Sequence, residues 1–222
     1  MITIGIPCFN QAEFLADAIE SALAQTIPCE IIVVNDGSTD NSLEVARRYP
    51  VKVIDQVNKG LPSARNTLIM NMTGDYLLPL DADDILLENA VERILRVIEA
   101  TGADIVAPSF KAFGVQNEKV ILMPNPTLED FKAANRIGYF SAIRKEALLE
   151  VGGYSPRMLW GYEDFALWID LLKRGKKLVT IPEVLVLYRT KEQSMLTVAL
   201  AHHDELISQI IKDNKSVWQI PN

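Results

Sequence analysis

The 222-residue chain is poor in the side chains that usually announce catalysis, with two histidines and two cysteines. The histidines are neighbours, His202-His203, and adjacent helical positions point in different directions, so they cannot chelate one ion together. A histidine-rich metal centre is thereby excluded, and there is no Ser/His/Asp or Cys/His pattern to support a nucleophile. Neither a P-loop nor a G-x-G-x-x-G element is present, which removes the ordinary ATPase and dinucleotide readings. Cys8 and Cys29 both lie beside expected core strands, and reduced buried thiols are the simpler reading than a single disulfide. No apolar run approaches the roughly 20 residues that span a bilayer, so no membrane span is expected. Met1-Ile2-Thr3-Ile4 carries no basic region or cleavage site, which points to a cytoplasmic location, at most peripheral to a membrane. A formal charge of −7 disfavours general binding to nucleic acid or anionic lipid. What remains is an ordinary globular composition, 49% apolar and 23% charged, long enough for one sizeable core.

The first half alternates strand and helix signals. Residues 2–6 and 31–34 are short β-branched runs of the kind covered on both faces, and Phe14, Leu15, Ala18, Ile19, Ala22 and Leu23 recur between them at helical spacing. A second helix is expected near Asp40, a strand at 51–55, and a helix after Gly60 with Pro62 in its first turn. Residues 75–80 read as a strand, 86–99 as an amphipathic helix and 104–107 as a strand. This order predicts an α/β fold with a mainly parallel sheet, whose ligands bind beyond the carboxyl ends of the strands. Asn10, Asp36 and Asp81 all fall just after such strands, so they are expected to converge on one rim. The second half is less regular. It offers a hairpin over 109–123, a strand at 138–143, a helix at 144–151 stopped by Gly152-Gly153, and a helix from about Asp164 to Gly175. Strands at 177–180 and 184–188 flank Pro182, a last helix covers 199–213, and the final residues are expected to fray.

The acidic run Leu80-Asp81-Ala82-Asp83-Asp84 follows the apolar Tyr76-Leu77-Leu78-Pro79. Clustered carboxylates repel unless a cation compensates them, and oxygen-only ligands suit Mg2+ or Mn2+, ions that commonly hold phosphates. The competing reading is a cap, by Asp83 or Asp84, on the helix that follows. Asp36 can accept from a base N–H or a ribose hydroxyl, or simply form an Asx-turn with Gly37. Arg65 can meet a phosphate or a base, or sit in a surface salt bridge. Trp160-Gly161-Tyr162-Glu163-Asp164 places two carboxylates beside aromatic faces that stack on sugars. Partial desolvation there suits a general base, whereas acidic residues at a helix N-terminus explain the pair equally well.

Taken in order, these segments resemble glycosyltransferase family 2, the inverting sugar transferases of the GT-A fold. The resemblance rests on Ile4-Gly5-Ile6-Pro7-Cys8-Phe9-Asn10, on Glu30 through Asp40, and on Asn58-Lys59-Gly60-Leu61-Pro62-Ser63-Ala64-Arg65-Asn66. Leu80-Asp81-Ala82-Asp83-Asp84 matches its D-x-D element, Gly161-Tyr162-Glu163-Asp164 with Trp168 its acceptor-side motif, and Tyr188-Arg189 the motif near its end. The likeness covers about residues 1–190. It implies a GT-A-type, Rossmann-like central sheet, mainly parallel and flanked by helices, with a smaller mixed acceptor-side subregion. One domain over 1–222 is expected: 1–107 for the nucleotide sugar, 108–198 for the acceptor, and 199–222 as a C-terminal helix and tail.

By the same resemblance, Pro7, Asn10, Asp36, Lys59, Gly60 and Arg65 line a nucleotide pocket together with Asp81, Ala82 and Asp83. Asp83 and Asp81 hold Mn2+ or Mg2+ on the diphosphate, with Asp83 the principal ligand. Asp164 is the general base, and Trp160, Gly161, Tyr162 and Glu163 meet the acceptor. The donor implied is a nucleotide-diphosphate sugar, a UDP-sugar first. The acceptor is a hydroxyl on a glycan, a lipid-linked sugar, a protein or a small molecule. Two departures stand out: Asn35 where the family often has Asp, and Lys191 where it often has His. The rival readings are a nucleotidyltransferase on a similar sheet and a non-catalytic carbohydrate- or nucleotide-binding module.

Overall fold

In the computed structural model, which describes residues 1–220, β1 (Ile2–Cys8), α1 (Leu15–Leu23), β2 (Glu30–Asp36), α2 (Ser42–Ala46), β3 (Lys52–Gln56), α3 (Leu61–Asn71) and β4 (Tyr76–Pro79) follow the expected alternation. Their strands pair in parallel in the order β3-β2-β1-β4. Successive residues of these strands serve opposite faces, so each strand feeds two apolar cores. Ile32, Val34 and Leu77 enter one core, whereas Ile31, Val33, Tyr76 and Leu78 enter the other. Leu80 N–H donates to the Gly5 carbonyl across the β1–β4 edge. Two residues further on, Pro7 faces beyond the last paired residue of β4, so the N–H that it lacks has no ladder to serve.

The next elements depart from the pattern. Ile85 and Leu86 form a two-residue strand, β5, and the helix starts later, as α4 (Ala90–Thr101) preceded by Asn89. Neither Asp83 nor Asp84 therefore caps it. β6 (Ile105–Gly114) joins the expected strand at 104–107 to the first arm of the hairpin, whose return is β7 (Lys119–Val120). α5 (Leu128–Ala133) was not anticipated, although Thr127 and Asp130 form a capping box that is visible in the sequence as T-x-x-D. β8 (Ala142–Arg144) is followed by α6 (Lys145–Val151), which ends at a left-handed Gly152, and then by α7 (Glu163–Leu172).

β9 (Leu178–Thr190) is one strand where two were expected. Its register against β6 jumps from Pro108–Ile181 to Ser109–Val184, so Pro182 and Glu183 bulge out and the ladder resumes beyond them. The last helix is two, α8 (Met195–Ala201) and α9 (His203–Asp213), parted at His202 and followed by a 3-10 turn over Lys215–Trp218. Residues 221 and 222, where fraying was expected, lie outside the described residues.

The full strand order is β3-β2-β1-β4-β8-β6-β9-β5, with β7 on β6. β8, from the second half, lies antiparallel between β4 and β6, so both halves share one mostly parallel sheet. Among the described residues no helix is long and apolar enough to cross a membrane. Cys8 and Cys29 are both free thiols.

Candidate active site

The carboxyl ends of β1 and β2 are fastened to each other by short polar side chains. Asn10 adopts a left-handed backbone (φ 52°). Its Oδ1 accepts from Thr39 N–H at 2.8 Å, while its own N–H donates to Ser38 Oγ at 3.0 Å. Asp40 Oδ2 accepts from Ala12 N–H at 3.0 Å, closing the same seam. Asp36, the last residue of β2, does not turn back on Gly37. Its buried carboxylate crosses to the loop after β3, accepting from Lys59 N–H at 3.0 Å, Gly60 N–H at 2.9 Å and Gln56 Nε2 at 2.7 Å. Asp36 thus holds the turn in which Gly60, at φ 84°, opens α3. Lys59 itself projects to solvent.

Arg65 was expected either on a phosphate or base, or at the surface, and it does neither. Its guanidinium is fully buried between Asp81 (2.8 Å) and Glu163, with the rings of Tyr139 and Tyr154 at 4.8 and 5.4 Å. Glu163 is correspondingly an ion-pair partner rather than a group offered to an acceptor. The pair joins the acidic run after β4 to the start of α7. Burial is the largest influence on Asp81 and raises its pKa to about 6, assisted by Asp83 and Glu163 and opposed by Arg65.

Asp84 is also a positioning group. It accepts from the Tyr139 hydroxyl and from Arg189 N–H (2.6 Å), and Tyr139 in turn accepts from Asp81 N–H at 3.1 Å. Burial pushes Asp84 well above the usual carboxylate range. Asp81 and Asp83 are both partly exposed, and Asp83 meets the end of β9. Its Oδ2 pairs with Lys191 Nζ at 2.5 Å, and its backbone carbonyl accepts from Arg189 Nε at 2.8 Å. The second oxygen of Asp81 and that of Asp83 accept no hydrogen bond from the described residues. No three His, Cys, Asp or Glu side chains among those residues form a metal cage. Two carboxylates nevertheless fit a hard cation that takes its remaining ligands from a substrate diphosphate, as Mg2+ commonly does.

A cavity of about 470 Å3 adjoins this cluster, with Arg65, Asp81, Tyr139, Gly161, Tyr162, Glu163 and Asp164 on one side. Asp164, in the first turn of α7, is partly buried. Its Oδ2 accepts from Asn135 Nδ2 at 2.9 Å and its Oδ1 from Phe165 N–H at 2.7 Å. Burial raises its pKa, and Arg65 opposes the rise. Gly161 has φ 125°, and a Cβ there would lie 2.7 Å from Ala199 Cβ, so glycine permits α8 to close against the motif. Tyr162 is left-handed as well, at φ 60°.

Trp160 was expected at the acceptor, but one face of its ring stacks on His202, with centroids 5.0 Å apart and planes at 10°. Tyr162 Oη meets His203 Nδ1 at 2.9 Å. The two histidines therefore dock the C-terminal helices onto the motif. Trp168 is fully buried and belongs to the core. Tyr139, Asn135, Met195, Leu196 and Trp218 were missed by sequence reasoning, and no local spacing marks them, whereas Ile207 and Ile211 of the same apolar wall recur at helical spacing on the last expected helix. Ala82 is buried and Pro7 lies within β1, so these two shape the rim through the backbone.

Residues 3–160 match the family described as Glycosyl transferase family 2. The chain is similar to glycosyltransferase GlyG of Streptococcus pneumoniae serotype 4, with 29% identity over 88% of this chain and 73% of that protein. It is similar to glycosyltransferase GlyA of the same organism at 36% identity over 50% of this chain, which is only 17% of that longer protein. The fold is similar to S. aureus TarS 1-349 in complex with UDP, with TM-score 0.77 at 17% identity, covering 95% of this chain and 65% of that one. It is likewise similar to mannosyltransferase PcManGT from Pyrobaculum calidifontis in complex with GDP-Man and Mn2+, with TM-score 0.75 at 16% identity, covering 97% of this chain and 64% of that one. The family match takes in β1 to β8, the rim and the acidic run just described, and this chain therefore belongs to glycosyl transferase family 2 as a glycosyltransferase of the GT-A type.

Proposed function

We propose that this glycosyltransferase moves a sugar from a nucleotide-diphosphate donor, a UDP-sugar first, to an acceptor hydroxyl with inversion at the anomeric carbon. The observation that carries the reading is Asp164, partly buried on the wall of a cavity that Asp81 also lines. The UDP complex of TarS and the GDP-Man and Mn2+ complex of PcManGT support the donor class and the kind of metal.

The nucleotide lies along the rim of Pro7, Asn10, Asp36, Lys59 and Gly60. Asn10 and Asp36 act by holding the loops that shape this rim, and the exposed Lys59 offers a cation to it. Asp83, with Asp81 beside it, would hold a Mn2+ or Mg2+ ion, which when bound supplies Lewis-acid stabilisation to the departing diphosphate. Asp164 accepts the acceptor's proton, and the resulting oxygen attacks the anomeric carbon from the face opposite the leaving nucleoside diphosphate. A raised pKa strengthens Asp164 as a base. Gly161 and Tyr162 form the acceptor wall, whereas Arg65 and Glu163 keep α7 in register with the acidic run. The two free thiols fit a cytoplasmic setting, where they remain reduced.

A thermal-shift panel of nucleotide sugars with and without Mn2+ identifies the donor through stabilisation by mass action. With that donor, Asp164→Asn should lower nucleoside diphosphate release in the presence of acceptor by about 10²–10⁴-fold, while donor affinity stays unchanged. Near wild-type turnover in that variant would remove Asp164 as the base.

A further inference from the structure

Two cations reach the acidic run from the end of β9, and they differ in freedom. The Arg189 guanidinium is clamped between the rings of Phe14 and Phe113, at 4.4 and 4.5 Å. Its backbone N–H and Nε are fixed on Asp84 and on the Asp83 carbonyl. Lys191 follows directly after the strand, so its backbone starts from this anchored stretch while its side chain leads outward. Its ammonium meets Asp83 Oδ2 at 2.5 Å and Gln11 Oε1 at 3.2 Å, and it lies 4.9 Å from the centre of the Phe14 ring. The Lys191 and Asp83 side chains are 27% and 18% exposed, so neither is sealed from an incoming ligand.

An ammonium in this place does chemically what a divalent ion would do for Asp83: it neutralises a partly exposed carboxylate of a repelling cluster. A divalent ion on the same carboxylate repels the ammonium at this short range, so the two cations compete for Asp83. A lysine is a compact point charge on a flexible four-carbon stem, and a diphosphate oxygen is the natural new partner for it. We propose that Lys191 is a donor-diphosphate residue that changes partners. In the donor-free enzyme it neutralises Asp83; when the donor arrives it passes to a phosphate oxygen and leaves Asp83 to the metal ion. Lys191 therefore competes with the metal in the empty site and cooperates with it in the loaded one. This inference rests on the nucleotide-diphosphate reading above.

The test compares wild type with Lys191→Met by calorimetric titration of UDP in EDTA and in Mn2+, and by electron paramagnetic resonance of Mn2+ without nucleotide. Loss of one charge-assisted contact should weaken UDP binding in EDTA by about tenfold or more. Mn2+ alone should bind Lys191→Met more tightly than wild type, because Asp83 has been released. These opposite changes separate partner exchange from a structural role, which would weaken both affinities or neither. If Lys191→Met does not fold, Lys191→Gln reads the same two quantities without the charge. Equal UDP affinity in EDTA for folded variant and wild type overturns the role of Lys191 alone. A wild type that binds neither UDP nor GDP, even with Mn2+, overturns the nucleotide reading and this role with it.

Discussion

Asp81 and Asp83 are two residues apart and each meets a cation, yet they belong to different kinds of site. Asp81 shares Arg65 with Glu163 in a place where the Arg65 and Glu163 side chains are 1% and 6% exposed. Asp81 and Asp83 are themselves 28% and 18% exposed, and the difference lies in the cation, because the Lys191 that meets Asp83 is 27% exposed. A buried ion pair is costly to break, because either partner left alone is a desolvated charge. A pair whose cation is partly exposed contributes less, because water and salt can replace that partner. One acidic run thus serves architecture at one carboxylate and leaves the next available for exchange, and the turn closed by Asp84 N–H on the Asp81 carbonyl is what gives the two different partners.

Breaking the buried side should have the largest effect. Arg65→Met strands two carboxylates and should cost about 3–5 kcal/mol of stability, read by chemical denaturation at neutral pH. The sign of its pH dependence follows from the carboxylates. Without Arg65 their folded pKa values rise further above the unfolded ones, so the folded state binds protons more readily. The deficit is then greatest above the folded pKa values of the variant and shrinks as pH falls toward the wild-type folded value, about 6 for Asp81. A deficit independent of pH would show that the loss comes from packing instead.

The link between the two sides is Tyr139, whose hydroxyl accepts from Asp81 N–H and donates to Asp84. Tyr139→Phe should cost about 1–3 kcal/mol through the unsatisfied groups left behind, again by denaturation. A change as large as that of Arg65→Met would mean that Asp84, rather than Arg65, organises the run. Breaking the open side should matter least to stability. Lys191→Met should change it by no more than about 1 kcal/mol, despite its expected effect on nucleotide and metal binding. A loss equal to that of Tyr139→Phe would blur the distinction between a structural and an exchangeable pair.

Much of the donor side was legible in the sequence. β-branched runs alternating with helical periodicity located β1 to β4, and their carboxyl ends brought Asn10, Asp36 and Asp81 to one rim as expected. The roles of the polar residues there were less legible, since a side chain's partner is set by whichever donor the loops bring near. Asp36 finds the N–H groups of Lys59 and Gly60, more than 20 residues away. Arg65 carries no sequence mark of burial, and only the meeting of α3 with α7 and the end of β4 encloses it. The second half was harder because its strand boundaries are tertiary events. Pro182 reads as a break, but a bulge absorbs it, and β8 is held in the sheet by neighbours from both halves.

By itself the sequence determined the α/β alternation, the parallel core and the order of motifs, because apolar period and turn chemistry are local and each strand carries its own signal. The tertiary structure alone decided which carboxylate is locked and which is exchangeable, which arginine is buried, and that His202 and His203 dock a helical wall over Trp160 and Tyr162. Those outcomes depend on burial and charge pairing between segments up to about a hundred residues apart, distances over which local spacing carries no information.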